Sequence, residues 1–116
     1  MPHPGSLRTQ LLKGTTAMLV LEILDEREAY GYEIAGAIAE RSGGAFAPSE
    51  GALYPALHRL EADGAVQAQW RASDRGPRRR YYAITPAGQA LLAESREQWE
   101  TVVAAVGRVA QRPAEA

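Results

Sequence analysis

Three donor-bearing side chains share one face of a short stretch of the chain, residues 49–64, which has the sequence SEGALYPALHRLEADG. They are Tyr54, His58 and Arg59, and the set contains no carboxylate. Donors of this kind suit a partner rich in acceptors, such as the phosphates and base edges of nucleic acid. A tyrosine at such a position can instead pack beneath a neighbouring helix, and that alternative stays open for Tyr54.

A helix must position these donors. Leu53, Leu57 and Leu60 recur at spacings of four and three, which predicts one buried helical stripe behind them. Ser49 is a good N-cap, because its hydroxyl can accept a hydrogen bond from a first-turn amide. Gly64 is a good stop, because glycine tolerates the left-handed conformation that ends many helices.

The start of this helix has further features that bear on its use. Ser49 and Gly51 leave free amides and allow close backbone approach, which suits a phosphate. Glu50 weighs mildly against a phosphate there, although it could accept from a cytosine. Pro55 removes one helical hydrogen bond, so we expect an irregular first turn.

Arginine is concentrated in a second stretch, residues 71–80, which holds five arginines and one aspartate. Guanidinium groups at the tip of a turn can bind phosphates or enter a minor groove. The alternative is a solvated loop. The arginine-rich stretch directly follows a capped, donor-bearing helix, and this position favours the nucleic-acid interpretation. The predicted contacts are Arg75, Arg78, Arg79 and Arg80.

Composition limits the other possibilities. The chain has 116 residues, 46% of them hydrophobic and 23% charged, which is typical of one globular domain. It has no cysteine, and its longest apolar run, residues 17–21, ends at Glu22, so no membrane span or secretion signal is predicted. We therefore expect a cytoplasmic protein. The net charge of −1 weighs mildly against nucleic acid, but the distribution of charge matters more than its sum.

Catalytic chemistry has little support in this sequence. The two histidines are His3, in the proline-containing terminus, and His58, beside Arg59. No paired carboxylates, activated nucleophile, phosphate loop or metal-ligand cluster is present. The sequence predicts no enzyme, no cofactor and no metal site.

The order of the predicted elements indicates a winged helix. A helix over residues 7–26, with Leu12, Met18, Leu19, Leu21, Ile23 and Leu24 on its apolar face, precedes a turn at residues 30–31. A second helix covers residues 32–41, and Ser42, Gly43 and Gly44 end it. Alternating strands over residues 66–71 and 80–85 then form a hairpin. The predicted class is mainly α with a small β-hairpin: a winged helix-turn-helix over 7–85, between a disordered 1–6 and a long C-terminal helix.

The C-terminal helix, residues 86–112 before a frayed 113–116, begins with Thr85 as cap and Pro86 at its first position. A heptad-like seam follows, formed by Leu92, Ser95, Trp99, Val102, Val106 and Val109. A helix of about 25 residues extends about 37 Å, which exceeds the width of a small domain. We predict that the seam forms a homodimer through Leu92, Trp99, Val102, Val106 and Val109, rather than packing only on the first helix.

These pieces together resemble the PadR family of transcriptional regulators. The matching segments are YGYEI at 30–34, SEGALYPALHRLEADG at 49–64 and RRYYAITPAG at 79–88. The resemblance implies a winged-helix DNA-binding domain and a C-terminal dimerisation helix, as in the short subfamily. It also implies that residues 31–33 are structural and that Tyr54, His58, Arg59 and the wing arginines contact DNA, although the wing follows no fixed family pattern.

Trp99 has two interpretations. It could fill a dimer core, or it could line a cavity in which a planar aromatic ligand stacks. In the multidrug-responsive branch of the short subfamily, a tryptophan on the final helix lines a hydrophobic pore at the dimer interface and stacks on planar compounds. Trp99, fourteen residues after Thr85, occupies a matching place. Small neighbours leave room for a ligand, and the predicted ligand-binding residues are Trp99, Ser95, Val102 and Val103.

The sequence thus predicts a dimeric regulator, most simply a repressor, that binds a palindromic operator in double-stranded DNA. A small-molecule effector at the dimer interface would release it. The rival hypothesis is a winged-helix module that binds an acidic protein partner and not DNA.

Overall fold

The computed structural model describes residues 7, 10, 11 and 14–111. Within the described residues the helices are α1 (Thr16–Glu26), α2 (Gly31–Arg41), α3 (Glu50–Ala62) and α4 (Pro86–Ala110), and the strands are β1 (Ala29–Tyr30), β2 (Val66–Arg71) and β3 (Arg79–Ile84). The predicted fold class, a winged helix with a long C-terminal helix, is confirmed. The expectations for residues 1–6, Leu12 and 113–116 lie outside the described residues.

Helix α1 is the centre of the core. Its buried face is Val20, Leu21, Ile23 and Leu24, and α2, α3 and α4 all pack around it. The predicted helix over 7–26 is interrupted, because Gly14 and Thr15 form a turn in which Gly14 has a φ of 94°. That left-handed backbone conformation is one that glycine adopts without steric cost.

The sheet has three strands in the order β1-β3-β2, all antiparallel. The predicted hairpin is present, with Val66 opposite Ile84 and Trp70 opposite Arg80. The turn expected at residues 30–31 is absent: Tyr30 ends a short strand in which Ala29 pairs with Tyr82, and Gly31 begins α2. A strand of two residues is too short to show an alternating pattern, so its pairing partner defines it.

Helix α3 begins and ends where predicted, but its start is held differently. Ser49 is the N-cap residue, yet its hydroxyl makes no capping bond, and its backbone carbonyl accepts from the Leu53 amide at 2.8 Å. Gly64, with a φ of 77°, ends the helix, and the Ala65 amide donates to the Leu60 carbonyl at 2.8 Å in a Schellman arrangement. The helix is continuous from Glu50 to Ala62 through Pro55, so the predicted irregular first turn is absent.

Helix α4 starts from a tight junction with the end of α3. The Thr85 hydroxyl accepts from the Gly88 amide at 3.0 Å and donates to the Gly64 carbonyl at 2.6 Å. Gly88 lies so close to Ala65 that a Cβ atom there would be 2.0 Å from the Ala65 carbonyl oxygen. The junction therefore fixes the direction in which α4 leaves the domain.

Candidate nucleic-acid interface

A groove of about 400 Å³ lies between α3 and the β2–β3 hairpin. Its described lining consists of four aromatic rings, one imidazole, three guanidinium groups and a glycine. This described lining includes no carboxylate. The lining residues are Tyr30, Gly31, Tyr54, His58, Trp70, Arg78, Arg79, Arg80 and Tyr82. The surface can donate many hydrogen bonds and is positively charged. It suits a polyanion.

Tyr54 rests on the first residue of α2. A Cβ atom at Gly31 would lie 2.6 Å from the Tyr54 hydroxyl oxygen, so only glycine allows this approach. The Tyr30 amide donates to the Glu33 carboxylate at 3.3 Å and holds the start of α2 in place. Tyr54 is nevertheless 39% exposed. It thus joins α2 to α3 with one edge and faces the groove with the other.

The donors on α3 do not share one surface. His58 lines the groove together with Tyr54, one helical turn away. Arg59 is exposed on another side of the helix, where it lines a second groove shared with α4. Ser49 and Gly51 are exposed at the N-terminus of α3, and a Cβ atom at Gly51 would meet only the Ser49 hydroxyl, at 3.8 Å. The fold itself therefore leaves room at Gly51.

The four predicted wing arginines have different environments. Arg75 is exposed in the loop between the strands, and Arg78 and Arg79 stack on Trp70 and Tyr30, at 5.7 and 4.7 Å from the ring centroids. None of these three arginines forms an ion pair with a described residue.

Arg80 is held inside the protomer. Its guanidinium donates to the Glu61 carboxylate of α3 at 2.7 Å and lies 5.7 Å from the Tyr82 ring centroid. Burial raises the pKa of the Tyr82 phenol, so this ring remains neutral beside the cation. Arg80 therefore braces the hairpin against α3, and fewer of its donors are free than the sequence suggested.

The aromatic side chains beside the arginines were missed as candidate site residues. Tyr30, Trp70 and Tyr81 each lie under a guanidinium, the last under Arg71 at 4.7 Å. Trp70 directly precedes Arg71 and Tyr81 directly follows Arg80 in the sequence, and that signal could have identified both aromatic residues. Tyr30 is distant in sequence and enters through the β1–β3 pairing.

The second groove, of about 390 Å³, lies between α1, the end of α3 and the middle of α4. It brings together three of the four predicted ligand-binding residues, Ser95, Trp99 and Val102, while Val103 is not part of its lining. The other walls are mainly apolar, with Met18 and Leu21 of α1 among them, and the polar side chains of Arg59, Asp63 and Gln98 also line the groove.

Most of α4 is not covered by the other described residues. Gly88 and Leu92 are buried, and from Trp99 onward every apolar side chain except the half-buried Ala105 is exposed. Val102, Val103, Val106 and Val109 form one stripe with Trp99. Leu92 differs from the predicted seam, because it is 1% exposed and packs in the protomer core.

Comparison with known proteins identifies the family. A model of the transcriptional regulator PadR-like family matches residues 20–94, more than half of the chain. The chain belongs to the PadR-like family of transcriptional regulators. The resemblance predicted from the three sequence segments is confirmed, and the family is one of regulators and not of enzymes.

Solved structures of relatives have the same architecture. A PadR family transcriptional regulator from Eggerthella lenta superposes with a TM-score of 0.80, at 31% identity, covering 94% of this chain and 93% of that chain. A transcriptional regulator from Clostridium thermocellum gives a TM-score of 0.82 at 28% identity, covering 88% and 99%. In sequence, a transcriptional regulator from Mycobacterium tuberculosis is 54% identical over 52 residues, which are 45% of this chain and 48% of that protein.

The part of this PadR-like regulator that matches the family contains both faces of α3 and the hairpin, and it ends before Trp99. The match therefore includes the whole described lining of the α3–hairpin groove, but it does not include Ser95, Gln98, Trp99 and Val102 of the second groove. Among the described residues, no helix is long and apolar enough to cross a membrane, and no cluster of side chains could hold a metal ion.

Proposed function

We propose that this regulator is a homodimeric, cytoplasmic repressor that binds a palindromic operator and is released by a small planar molecule. The observation that best supports DNA binding is the groove between α3 and the hairpin. Tyr54, His58, Arg78 and Arg79 converge on it, and its described lining holds no carboxylate. A surface of donors and cations on two connected elements matches a backbone of phosphates flanking base edges.

In this proposal α3 enters the major groove and the hairpin lies along the adjacent backbone. His58 and the exposed edge of Tyr54 face base edges or phosphates, and the N-terminus of α3 at Ser49 and Gly51 approaches a phosphate. Arg75, Arg78 and Arg79 bind phosphates from the wing. Arg80 has the different role of bracing the wing through Glu61.

Dimerisation is supported by the uncovered stripe on α4. Trp99, Val102, Val106 and Val109 recur at spacings of three and four along a helix that extends beyond its own domain. A second copy packed on this stripe would bury it and set two α3 helices at a fixed distance. Two-fold symmetric proteins bind inverted repeats with half-sites about one DNA turn apart.

Effector binding is proposed for the groove beside Trp99. Its volume of about 390 Å³ is within the range of small-molecule sites, and its indole is 42% exposed. In the proposed dimer, α4 of the second copy would lie along the α4 helix that lines this groove. A ligand bound in the groove would therefore favour one spacing of the two protomers over another. Release follows if that spacing is incompatible with both half-sites.

Selection of bound sequences from a random duplex library tests the DNA-binding proposal. We expect enrichment of inverted repeats about one helical turn apart, with an affinity that falls steeply with salt because several phosphates are neutralised. If the protein binds an acidic protein but binds no duplex even at low salt, the rival hypothesis of a protein-binding module is favoured.

Tryptophan fluorescence tests the effector site. The chain has two tryptophans, so Trp70→Phe and Trp99→Phe isolate each one. Planar cationic aromatic compounds should quench the emission of Trp70→Phe but not that of Trp99→Phe. If no compound quenches Trp70→Phe, Trp99 is a packing residue of the dimer interface.

A further inference from the structure

Trp70 lies on β2 outside the hydrophobic core of the protein. Val66, Ala68 and Trp70 alternate along β2 on the same face of the hairpin. Burial declines along this row: Val66 is 2% exposed, Ala68 is half-buried, and Trp70 is 55% exposed. The indole therefore lies past the end of the core, in the groove that α3 shares with the hairpin.

Two guanidinium groups lie over this indole, and only one is free to bind something else. Arg80, directly opposite Trp70 across the hairpin, is 6.0 Å from the ring centroid and is engaged with Glu61. Arg78 is 5.7 Å from the same ring and forms no hydrogen bond or ion pair with a described residue. Trp70 is thus a platform for Arg78.

Stacking of this kind leaves the donors of the arginine available. A guanidinium that lies over an aromatic ring is attracted through its flat face, whereas its five N–H groups point outward in its own plane. The contact also restricts a long, flexible side chain before any partner arrives, which lowers the entropy lost on binding. The contact with Trp70, at 5.7 Å from the ring centroid, therefore leaves the Arg78 donors without a hydrogen-bond partner among the described residues.

We propose that Trp70 is a positioning residue for DNA binding, which holds Arg78 in place to bind a backbone phosphate of the duplex. This inference rests on the proposed DNA-binding function and adds a residue that does not itself need to contact the operator. The partner is a phosphate of the same duplex that α3 enters, because Trp70 and Arg78 line one groove with Tyr54 and His58.

A double-mutant cycle tests this role. Affinity for a labelled duplex is measured by fluorescence anisotropy over a range of salt concentrations for Trp70→Ala, Arg78→Ala and the double variant. We expect each single substitution to weaken binding about threefold to fivefold, as for a partly exposed cation–π contact. The double variant should bind no more weakly than Arg78→Ala, and Arg78→Ala should lower the salt dependence by about one phosphate contact.

Conservative variants separate positioning from folding. Trp70→Phe keeps an aromatic face and should bind nearly as tightly as the wild type, while Arg78→Lys keeps the charge but should weaken binding only when Trp70 is present. Because more than half of the Trp70 surface is exposed, we expect Trp70→Ala to retain the wild-type circular dichroism spectrum.

Three outcomes would overturn the inference. One is a folded Trp70→Ala variant that binds duplex with wild-type affinity, and another is a double variant whose loss equals the sum of the two single losses. Both leave the DNA-binding function intact. A wild-type protein that binds no duplex at low salt would overturn the proposed function and this inference together.

Discussion

Glycine residues at three positions differ in what surrounds them. Substitutions at these positions can therefore separate effects on folding from effects on the proposed DNA binding. A side chain at Gly36, in the middle of α2, would extend into open space, and a Cβ atom at Gly51 would meet only the Ser49 hydroxyl at 3.8 Å. Gly88 would meet backbone at 2.0 Å. The first two are therefore dispensable for the fold, whereas Gly88 is required by it.

Gly51→Ala should stabilise the protein but weaken its binding to DNA. Alanine in a helix gains up to about 1 kcal/mol over glycine where space allows. If a phosphate approaches the start of α3, the added methyl group will obstruct it. Thermal unfolding and duplex anisotropy measure the two effects. Gly36→Ala is the matched control, with a similar gain in stability and unchanged affinity; the same pattern in Gly51→Ala would remove Gly51 from the interface.

Gly88→Ala should destabilise the protein by about 3 kcal/mol, because the methyl group overlaps the Ala65 carbonyl oxygen and the Ile84 side chain. Urea denaturation monitored by circular dichroism measures this free energy of unfolding. The control is again Gly36→Ala. Wild-type stability in Gly88→Ala would mean that α4 can leave the domain without this close approach.

Helices α1 and α4 are joined by a bidentate ion pair. The Arg96 guanidinium donates to both carboxylate oxygens of Glu22, at 2.8 and 2.6 Å, and lies 3.7 Å from Asp25. The hydrogen bond from Arg96 lowers the pKa of the Glu22 carboxyl below its ordinary value. The pair fixes α4 one turn after Leu92, where the buried contacts of α4 end.

This ion pair should give a stability that depends on pH. The folded protein binds fewer protons at Glu22 than the unfolded chain, so the contribution is full above pH 4.5 and is lost as the pH falls through the lowered pKa. Glu22→Gln should lower the melting temperature by a few degrees at pH 7, and the difference from wild type should shrink below pH 4.5. Glu94→Gln, whose carboxylate pairs with no described residue, is the control. A difference that persists at low pH would assign the effect to packing.

At the scale of the whole molecule, the proposed pairing of two DNA-binding domains depends on the stripe on α4. Val106 is 59% exposed and lies near the middle of the stripe, one turn after Val102. Ala104 is exposed on the opposite side of the same helix. The two positions therefore allow an added charge to be compared at the proposed interface and away from it.

Val106→Asp should convert a dimer to a monomer, because two carboxylates would be buried in an apolar interface. Light scattering after size exclusion measures the mass, and affinity for an inverted repeat should fall at least tenfold, since only one half-site is engaged at a time. Ala104→Asp adds the same charge outside the stripe and should change neither quantity. A dimeric Val106→Asp protein would place the interface elsewhere.

Local patterns in the sequence were sufficient for most of the elements. The leucine spacing of α3, its glycine stop, the alternation of β2 and β3, and the Thr85–Pro86 start of α4 each depend on residues within a few positions of one another. Hydrogen bonding within helices and hairpins is local, so such patterns carry enough information. The same segments also identified the family.

Tertiary structure alone decided which of those residues share a surface. It separates Arg59 from His58, buries Leu92 within the protomer, and engages Arg80 with Glu61. It also adds β1 to the sheet and leaves Trp70 exposed beneath Arg78. The physical reason is that burial and ion pairing depend on the angle between packed elements. That angle is set by long-range contacts such as Gly88 against Ala65. The periodicity of a single segment carries no information about such contacts.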